Sequence, residues 1–255
     1  MFLAIDTGNT HTAFAIFEND KIKSTFRFST KAVHDKDVFF DFIILSLNSL
    51  KISKSDIKYI GIASVVPSVD SILMDAAKKI FNLEPYFISP DSKLPFRLLV
   101  DNPNEVGADR ICNVAAGFHK YGGPLIIVDF GTATVYDIVS KNGDFLGGVI
   151  APGVFTSAQA LFKAAEKLPE VELTFPEKVI GKNTITNMQS GIMYGALDAF
   201  EGMVKRIQEE LDNNVKVIAT GGFSKIIYEK TKLIYALEFD LVLEGIKVLY
   251  KKCNL

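Results

Sequence analysis

Cysteine is almost missing from this chain: Cys112 and Cys253 are the only two in 255 residues. Two isolated thiols cannot build a disulfide framework, and they have no spacing partners for a structural zinc site. Such usage fits a reducing cytoplasm. An excess of one charge is lacking too, since 28 Lys and Arg against 30 Asp and Glu leave a formal net charge of -2. That balance gives no electrostatic footprint for nucleic acid or for an anionic membrane, so small molecules or other proteins are the expected partners. Long hydrophobic runs are also wanting. The most apolar tract, Phe39 to Leu50, is broken by Asp41 and Asn48 and falls well short of the ~20 residues of a membrane span. The N-terminus reaches Asp6 with no basic region before it, which reads as a first strand and not as a secretory leader. Neither G-x-x-x-x-G-K-[ST] nor G-x-G-x-x-G occurs, which excludes the two commonest nucleotide cradles as sequence patterns.

What the chain does have is a phosphate-type turn present twice. Leu3 to Thr10 and Ile127 to Thr134 are each an apolar run ending in Asp-x-Gly, followed by hydroxyl or amide side chains. The run reads as a buried strand with Asp6 or Asp129 where it stops, and Gly8 or Gly131 lets the backbone turn tightly enough to aim its N–H groups at an anion. The carboxylate can hold a hydrated magnesium ion. One such turn is ordinary strand-end chemistry; its repetition is what points to a nucleotide.

The surrounding elements repeat in the same order. Phe2 to Ile5, Thr12 to Phe17 and Lys23 to Ser29 read as a meander, followed by a helix over Asp35 to Leu50, a strand over Tyr59 to Ala63 and a helix over Val69 to Phe81. In the second half, Leu125 to Asp129, Thr134 to Ser140 and Asp144 to Ile150 read as strands. A helix is expected from about Phe155, a long one from about Ile185 to Leu211, and a strand over Lys216 to Ala219. Ile62-Ala63-Ser64 and Ile218-Ala219-Thr220 are a second correspondence. The expectation is an α/β protein of two related domains, residues 1-121 and 122-255, divided at the helix-breaking Tyr121-Gly122-Gly123-Pro124 turn. Asp240 is placed to cap a last helix over Leu241 to Tyr250 that packs back on one domain.

A third segment, Asp101 to Arg110, places Pro, Gly, several acids and Arg just before an apolar helix expected from near Ile111. Asp109 would suit an N-cap. Gly107 and Ala108, however, leave the backbone beside that acid uncrowded, and Arg110 offers a planar anion-binding fork. A small substrate with both a hydroxyl and a carboxylate fits that pair. Other candidates read blandly: His34 and His119 are surface residues, no metal-ligand spacing links them to His11, and Ser157 and Ser190 have no visible His-Asp partnership. Gly191 and Gly195 suit close helix packing at a dimer interface.

The paired turns resemble the acetate kinase, sugar kinase, heat-shock ATPase and actin superfamily. That resemblance implies two duplicated actin-like (ribonuclease H-like) domains with ATP in the interdomain cleft. Adding Gly107 to Arg110, Gly181-Lys182-Asn183-Thr184 and Met188-Gln189-Ser190-Gly191, the whole chain resembles the type III pantothenate kinase family. The resemblance implies ATP-dependent phosphorylation of pantothenate to 4'-phosphopantothenate, the first step of coenzyme A biosynthesis, by a cytoplasmic homodimer. It implies that Asp6, Thr7, Gly8, Asn9, Thr10, His11, Thr12 and Ala13 cradle the ATP phosphates with magnesium near Asp6, and that Thr132 adds a phosphate contact. It assigns Asp129 to a monovalent cation, potassium or ammonium, and Asp109 to the catalytic acid-base role. Gly107, Ala108, Asp109 and Arg110 are assigned to pantothenate, Thr220-Gly221-Gly222 to the adenosine, and Thr184 to a substrate contact made from the partner subunit. Asp109 is expected to work with an ordinary carboxyl pKa near ~4, because proton loss comes late in a loose phosphoryl transfer. Two positions depart from the family: Val100 stands where a tyrosine usually lines the pantothenate pocket, and Val135 where a threonine often continues the second turn. An ATP-binding regulatory switch of the same fold, or a kinase of another small hydroxy acid, are the alternative readings.

Overall fold

A computed structural model describes residues 1–211 and 215–254. Its contacts divide the chain into two compact units, Met1–Lys120 together with the C-terminal helix, and Tyr121–Phe239.

The first unit opens with β1 (Phe2–Thr7), β2 (His11–Glu18) and β3 (Lys21–Ser29), an antiparallel meander, followed by α1 (Lys36–Ser49). Asp35 begins α1 as a true N-cap, its carboxylate accepting from the Val38 N–H at 3.2 Å. β4 (Tyr59–Ser64) then runs parallel to β1, α2 (Pro67–Ala76) follows with proline at its first turn, and β5 (Tyr86–Phe87) closes the sheet in the order β3-β2-β1-β4-β5. α3 (Ala108–Tyr121) completes this stretch. Strand alternation sorts the faces. Leu3, Ile5, Phe14, Ile16, Ile60 and Ile62 pack with Phe39, Ile43 and Leu47 of α1, so Phe2, Ala4 and Asp6 lie on the opposite face.

The second unit repeats the plan. β6 (Leu125–Phe130), β7 (Ala133–Val139) and β8 (Phe145–Pro152) form a meander, followed by α4 (Val154–Ala164), α5 (Thr184–Glu210), β9 (Lys216–Thr220), α6 (Ser224–Tyr228) and β10 (Ala236–Leu237). Its strand order, β10-β9-β6-β7-β8, is that of the first sheet read from the other edge. Ile126, Val128, Phe130, Tyr136 and Ile138 pack with Leu197, Phe200 and Val204 of α5, which turns Asp129 to the other face, as with Asp6. The repeat is offset by one residue at the strand ends: Asp6 pairs with Ala63, whereas Asp129 pairs with Thr220. The short edge strands β5 and β10 and the helix α6 were not anticipated, since two-residue strands carry no readable alternation.

The division between the units falls beside the expected turn at residue 121, and the last helix, α7 (Leu241–Asn254), groups with the first unit. It belongs to the first unit, burying Leu241, Leu243, Ile246 and Leu249 there, with the Phe2 and Tyr250 rings 5.0 Å apart. Lys247 lies 4.6 Å from the Phe17 ring centroid, and Lys247 and Lys251 reach Asp20 at 2.8 and 2.5 Å. A linear reading assigns contiguous stretches to domains; only the packing of an apolar face reveals a chain that returns. Among the described residues no helix is long and apolar enough to cross a membrane.

Candidate active site

At the end of β1 the chain turns through Thr7, Gly8, Asn9 and Thr10 before β2 begins at His11. The turn is closed by the Gly8 N–H donating to the His11 carbonyl at 3.0 Å. Thr30 braces it from behind. Its hydroxyl donates to the Gly8 carbonyl at 2.7 Å and sits 3.1 Å from the Thr12 hydroxyl, and its N–H donates to the Thr10 carbonyl at 3.1 Å. Asn9, Thr10 and His11 are exposed, whereas Thr12 is buried against Thr30 and Ala13 is half-buried. Thr7 is wholly buried, yet its Oγ1 has no hydrogen-bond partner among the described residues. An orphaned buried hydroxyl costs about 1–3 kcal/mol, and a phosphate oxygen in the turn would satisfy it. The residues therefore fit a nucleotide phosphate, and the single carboxylate of Asp6 fits magnesium, which takes few protein ligands beside phosphate oxygens and water.

The Asp101 to Arg110 segment adjoins this turn within the same unit. β4 ends beside β1, and the Val65 N–H donates to the Thr7 carbonyl at 3.1 Å. Val65 faces Gly107, whose Cβ, if present, would lie 3.4 Å from Val65 Cγ1 and 2.4 Å from Asp109 Oδ1. Gly107 is thus glycine so that the carboxylate can fold back over it. α3 starts at Ala108, three residues earlier than expected, which puts Asp109 inside the first helical turn and removes the N-cap reading. Asp109 Oδ1 accepts from the Arg110 N–H at 2.8 Å. Burial nevertheless raises the Asp109 carboxyl above its ordinary value, outweighing the opposing N–H and charge of Arg110. The expectation of an unperturbed carboxyl is corrected accordingly. One turn further along α3, the Cys112 thiol is fully buried and pushed well up by desolvation and by the charges of Asp6 and Asp109. Both acids therefore act electrostatically on the same buried thiol. Val100 is half-buried in the extended stretch that leads to this segment.

In the second unit the corresponding turn is one residue shorter, the Gly131 N–H donating to the Ala133 carbonyl at 3.0 Å. Its brace is analogous: the Thr132 carbonyl accepts from the Gly153 N–H at 3.1 Å and from the Thr156 hydroxyl at 2.6 Å. Gly221, at φ 89°, leaves no room for a side chain, because a Cβ would lie 2.4 Å from Asp129 Oδ1 and 2.7 Å from the Phe130 backbone. That glycine is required by Asp129, while Gly222 faces open space. Among the described residues no three His, Cys, Asp or Glu side chains gather as a metal cluster. An ion at Asp129 would accordingly be held by one carboxylate with backbone or hydroxyl oxygens, a donor set that suits a monovalent cation better than zinc.

Thr184 is the first residue of α5, behind an Asn183 cap whose side chain accepts from the Thr186 N–H at 2.9 Å. It lines a cavity of about 720 Å3 with Phe130, Thr134, Tyr136 and Met188, all of the second unit. Ser190 is structural, its hydroxyl donating to the Val179 carbonyl at 2.5 Å. The braces Thr30 and Thr156 are the residues the sequence did not reveal; a hydroxyl at the start of the segment after a third strand reads as any cap.

Several proteins share this architecture. The structure superposes on a crystal structure described as a Baf family transcriptional activator from Campylobacter jejuni, with a TM-score of 0.63, 19% identity and coverage of 99% of this chain and 100% of that one. It also superposes on the activator of 2-hydroxyisocaproyl-CoA dehydratase from Clostridium difficile with bound ADPNP, with a TM-score of 0.55, 11% identity and coverage of 98% and 94%. At these identities the likeness shows the fold, that of actin-like ATPases and sugar kinases. Sequence is more specific. A type III pantothenate kinase of Agathobacter rectalis is 39% identical over 255 residues, covering 100% of this chain and 98% of its own. The type III pantothenate kinase family model matches residues 2–206. With the phosphate turn and Asp109 in one unit, these matches establish that the chain belongs to the type III pantothenate kinase family.

Proposed function

We infer that this chain transfers the γ-phosphoryl group of ATP to the primary hydroxyl of pantothenate, giving ADP and 4'-phosphopantothenate at the entry to coenzyme A synthesis. The observation that supports the reading is the linkage of the two segments through Val65, whose N–H donates to the Thr7 carbonyl and whose side chain faces Gly107 beside Asp109. The acceptor hydroxyl and the phosphoryl donor can thereby be served by a single unit. In this reading the backbone N–H groups of Asn9 and Thr10 and the Thr7 hydroxyl hold the ATP phosphates, and His11, Thr12 and Ala13 shape the wall behind them. Asp109 orients the acceptor hydroxyl and takes its proton, and its raised pKa makes it a stronger base than a solvated aspartate. Gly107 leaves room for the Asp109 carboxylate, while the Arg110 guanidinium pairs with the pantothenate carboxylate.

Magnesium at Asp6 would supply charge neutralisation on the phosphates, and potassium or ammonium at Asp129 a further positive charge. Thr132 is assigned a phosphate contact. A homodimer is part of the proposal. Thr184 is exposed at the mouth of a largely apolar cavity, with Ile180 and Ile185 exposed beside it in the chain, which supports delivery of this hydroxyl to the site of a second copy.

Asp109→Asn provides the test. Nucleotide binding should persist while kcat falls by about 10²- to 10⁴-fold, the effect of losing a general base. ADP release is followed with pantothenate present and absent, in potassium and in sodium. Full turnover of the variant would remove Asp109 from the reaction. Release that ignores pantothenate but follows another hydroxy acid would move the substrate assignment, and no release with any acceptor would favour an ATP-binding switch.

A further inference from the structure

α7 lies outside the 2–206 stretch matched by the family model. α7 crosses α3 with almost no side chain between them at one point. A Cβ on Gly245 would stand 2.0 Å from the Cys112 carbonyl oxygen, 2.5 Å from its carbonyl carbon and 2.7 Å from its Cα. Those are backbone atoms of a helix and cannot swing aside. On its other flank α7 is anchored to the sheet: Ile246 packs on Gly61 of β4, and Tyr250 stacks near Phe2 and Tyr59. A further tie joins the same two helices, Lys120 of α3 meeting Glu244 of α7 at 2.8 Å. With α7 fixed to the sheet, any thickening at Gly245 must be taken up by α3. Cys112 is three residues after Asp109 on that helix, and Asp6 lies at the end of β1 in the sheet beneath.

We propose that Gly245 is a positioning residue for catalysis: its missing side chain seats α3 against α7, and that seat fixes the spacing between the Asp109 carboxylate and Asp6. The proposal rests on the reading of Asp109 as the base. Relieving a 2.0 Å contact requires a displacement on the order of 1 Å in a close-packed interior, and errors of that size in a reacting group can reduce turnover by about 10²-fold.

The experiment compares Gly245→Ala with Gly61→Ala. The second change meets only side chains, Ile246 at 2.5 Å and the Phe2 ring at 2.8 Å, which can shift locally, and no helix backbone. Gly245→Ala should lower kcat by about 10- to 100-fold with KM for ATP held within about threefold, and should move the midpoint of the acid limb of kcat. Gly61→Ala should keep kcat within about threefold. Wild-type turnover and pH profile in Gly245→Ala would overturn the proposal, as would an equal loss in Gly61→Ala, which would reduce Gly245 to general helix docking. Should Gly245→Ala prove insoluble, Cys112→Val crowds α3 from its own side chain and should produce the same kcat-specific loss; unchanged turnover there would overturn the proposal too. Full activity in Asp109→Asn is a separate outcome, removing the base itself and the proposal that depends on it.

Discussion

Gly107 and Asp109 act as one chemical unit, because the carboxylate occupies the space a Cβ on Gly107 would fill. Gly107→Ala should push Asp109 off its position and lower kcat by about 10²-fold, with unaltered nucleotide binding by calorimetry. The pH dependence follows from the direction of the Asp109 shift. Its carboxyl is raised by burial, so the proposed base is lost as pH falls through a value above the ordinary ~3.9, and the acid limb of kcat should be centred above that figure. The same shift has a stability cost of opposite use. A carboxyl raised in the folded state favours folding below its unfolded pKa, and that advantage is lost as pH rises through the folded pKa. Asp109→Asn should therefore melt higher than the wild type at neutral pH, with the gap closing toward pH ~3.9; a lower melting temperature at neutral pH would contradict it. Asp6, Gly107, Asp109 and Arg110 were legible in the sequence because their residue types announce a tight turn, an acid and an anion fork. Thr30 and Thr156 were not, since their partners, the Gly8 and Thr132 carbonyls, lie more than twenty residues away in the chain.

At the scale of elements, the turn between β2 and β3 is clamped to α7. Asp20 adopts a left-handed backbone, φ 70°, and accepts Lys247 and Lys251, whose hydrogen bonds and charges hold its carboxyl down to about 2. A lowered carboxyl contributes stability above its unfolded pKa and loses it as pH falls through the folded value. Asp20→Asn, which tolerates the same backbone, should lower the melting temperature slightly near neutral pH. The difference should vanish between pH ~4 and about 2 and shrink in high salt, because the Asp20 carboxylate is exposed. The meanders, the parallel β4 and β9 and the long α5 were readable from alternation and helical spacing. Helix starts were less so. α3 begins at Ala108 because Ala and Asp continue a helix as readily as they precede one, and that shift of one turn changed Asp109 from a candidate cap into a side chain projecting from the first turn.

At the scale of the molecule, duplication explains two sheets of one strand order, and the C-terminal helix breaks the symmetry. Leu241, Leu243, Ile246 and Leu249 are each no more than 3% exposed. At about 1.5–3 kcal/mol per side chain, their loss is comparable to the whole net stability of a domain, about 5–15 kcal/mol. A chain ending at Phe239 should thus fail to give a folded first unit, lacking its cooperative melting transition and binding no ATP; a soluble, ATP-binding truncation would refute this. Duplication was legible because Asp-x-Gly recurs after a strand. That α7 packs back was expected, but which unit it joins was not legible, because its amphipathic face says only that it is buried, not where.

That return has a consequence for how the protein is made. The phosphate turn and Asp109 leave the ribosome early, but the helix that closes their unit is synthesised only after all of Tyr121–Phe239. Early domains ordinarily fold while later ones are still being translated. Here the unit that carries the proposed phosphate turn and Asp109 must wait for its last segment, so a chain abandoned before α7 holds those residues in a unit that is not yet closed.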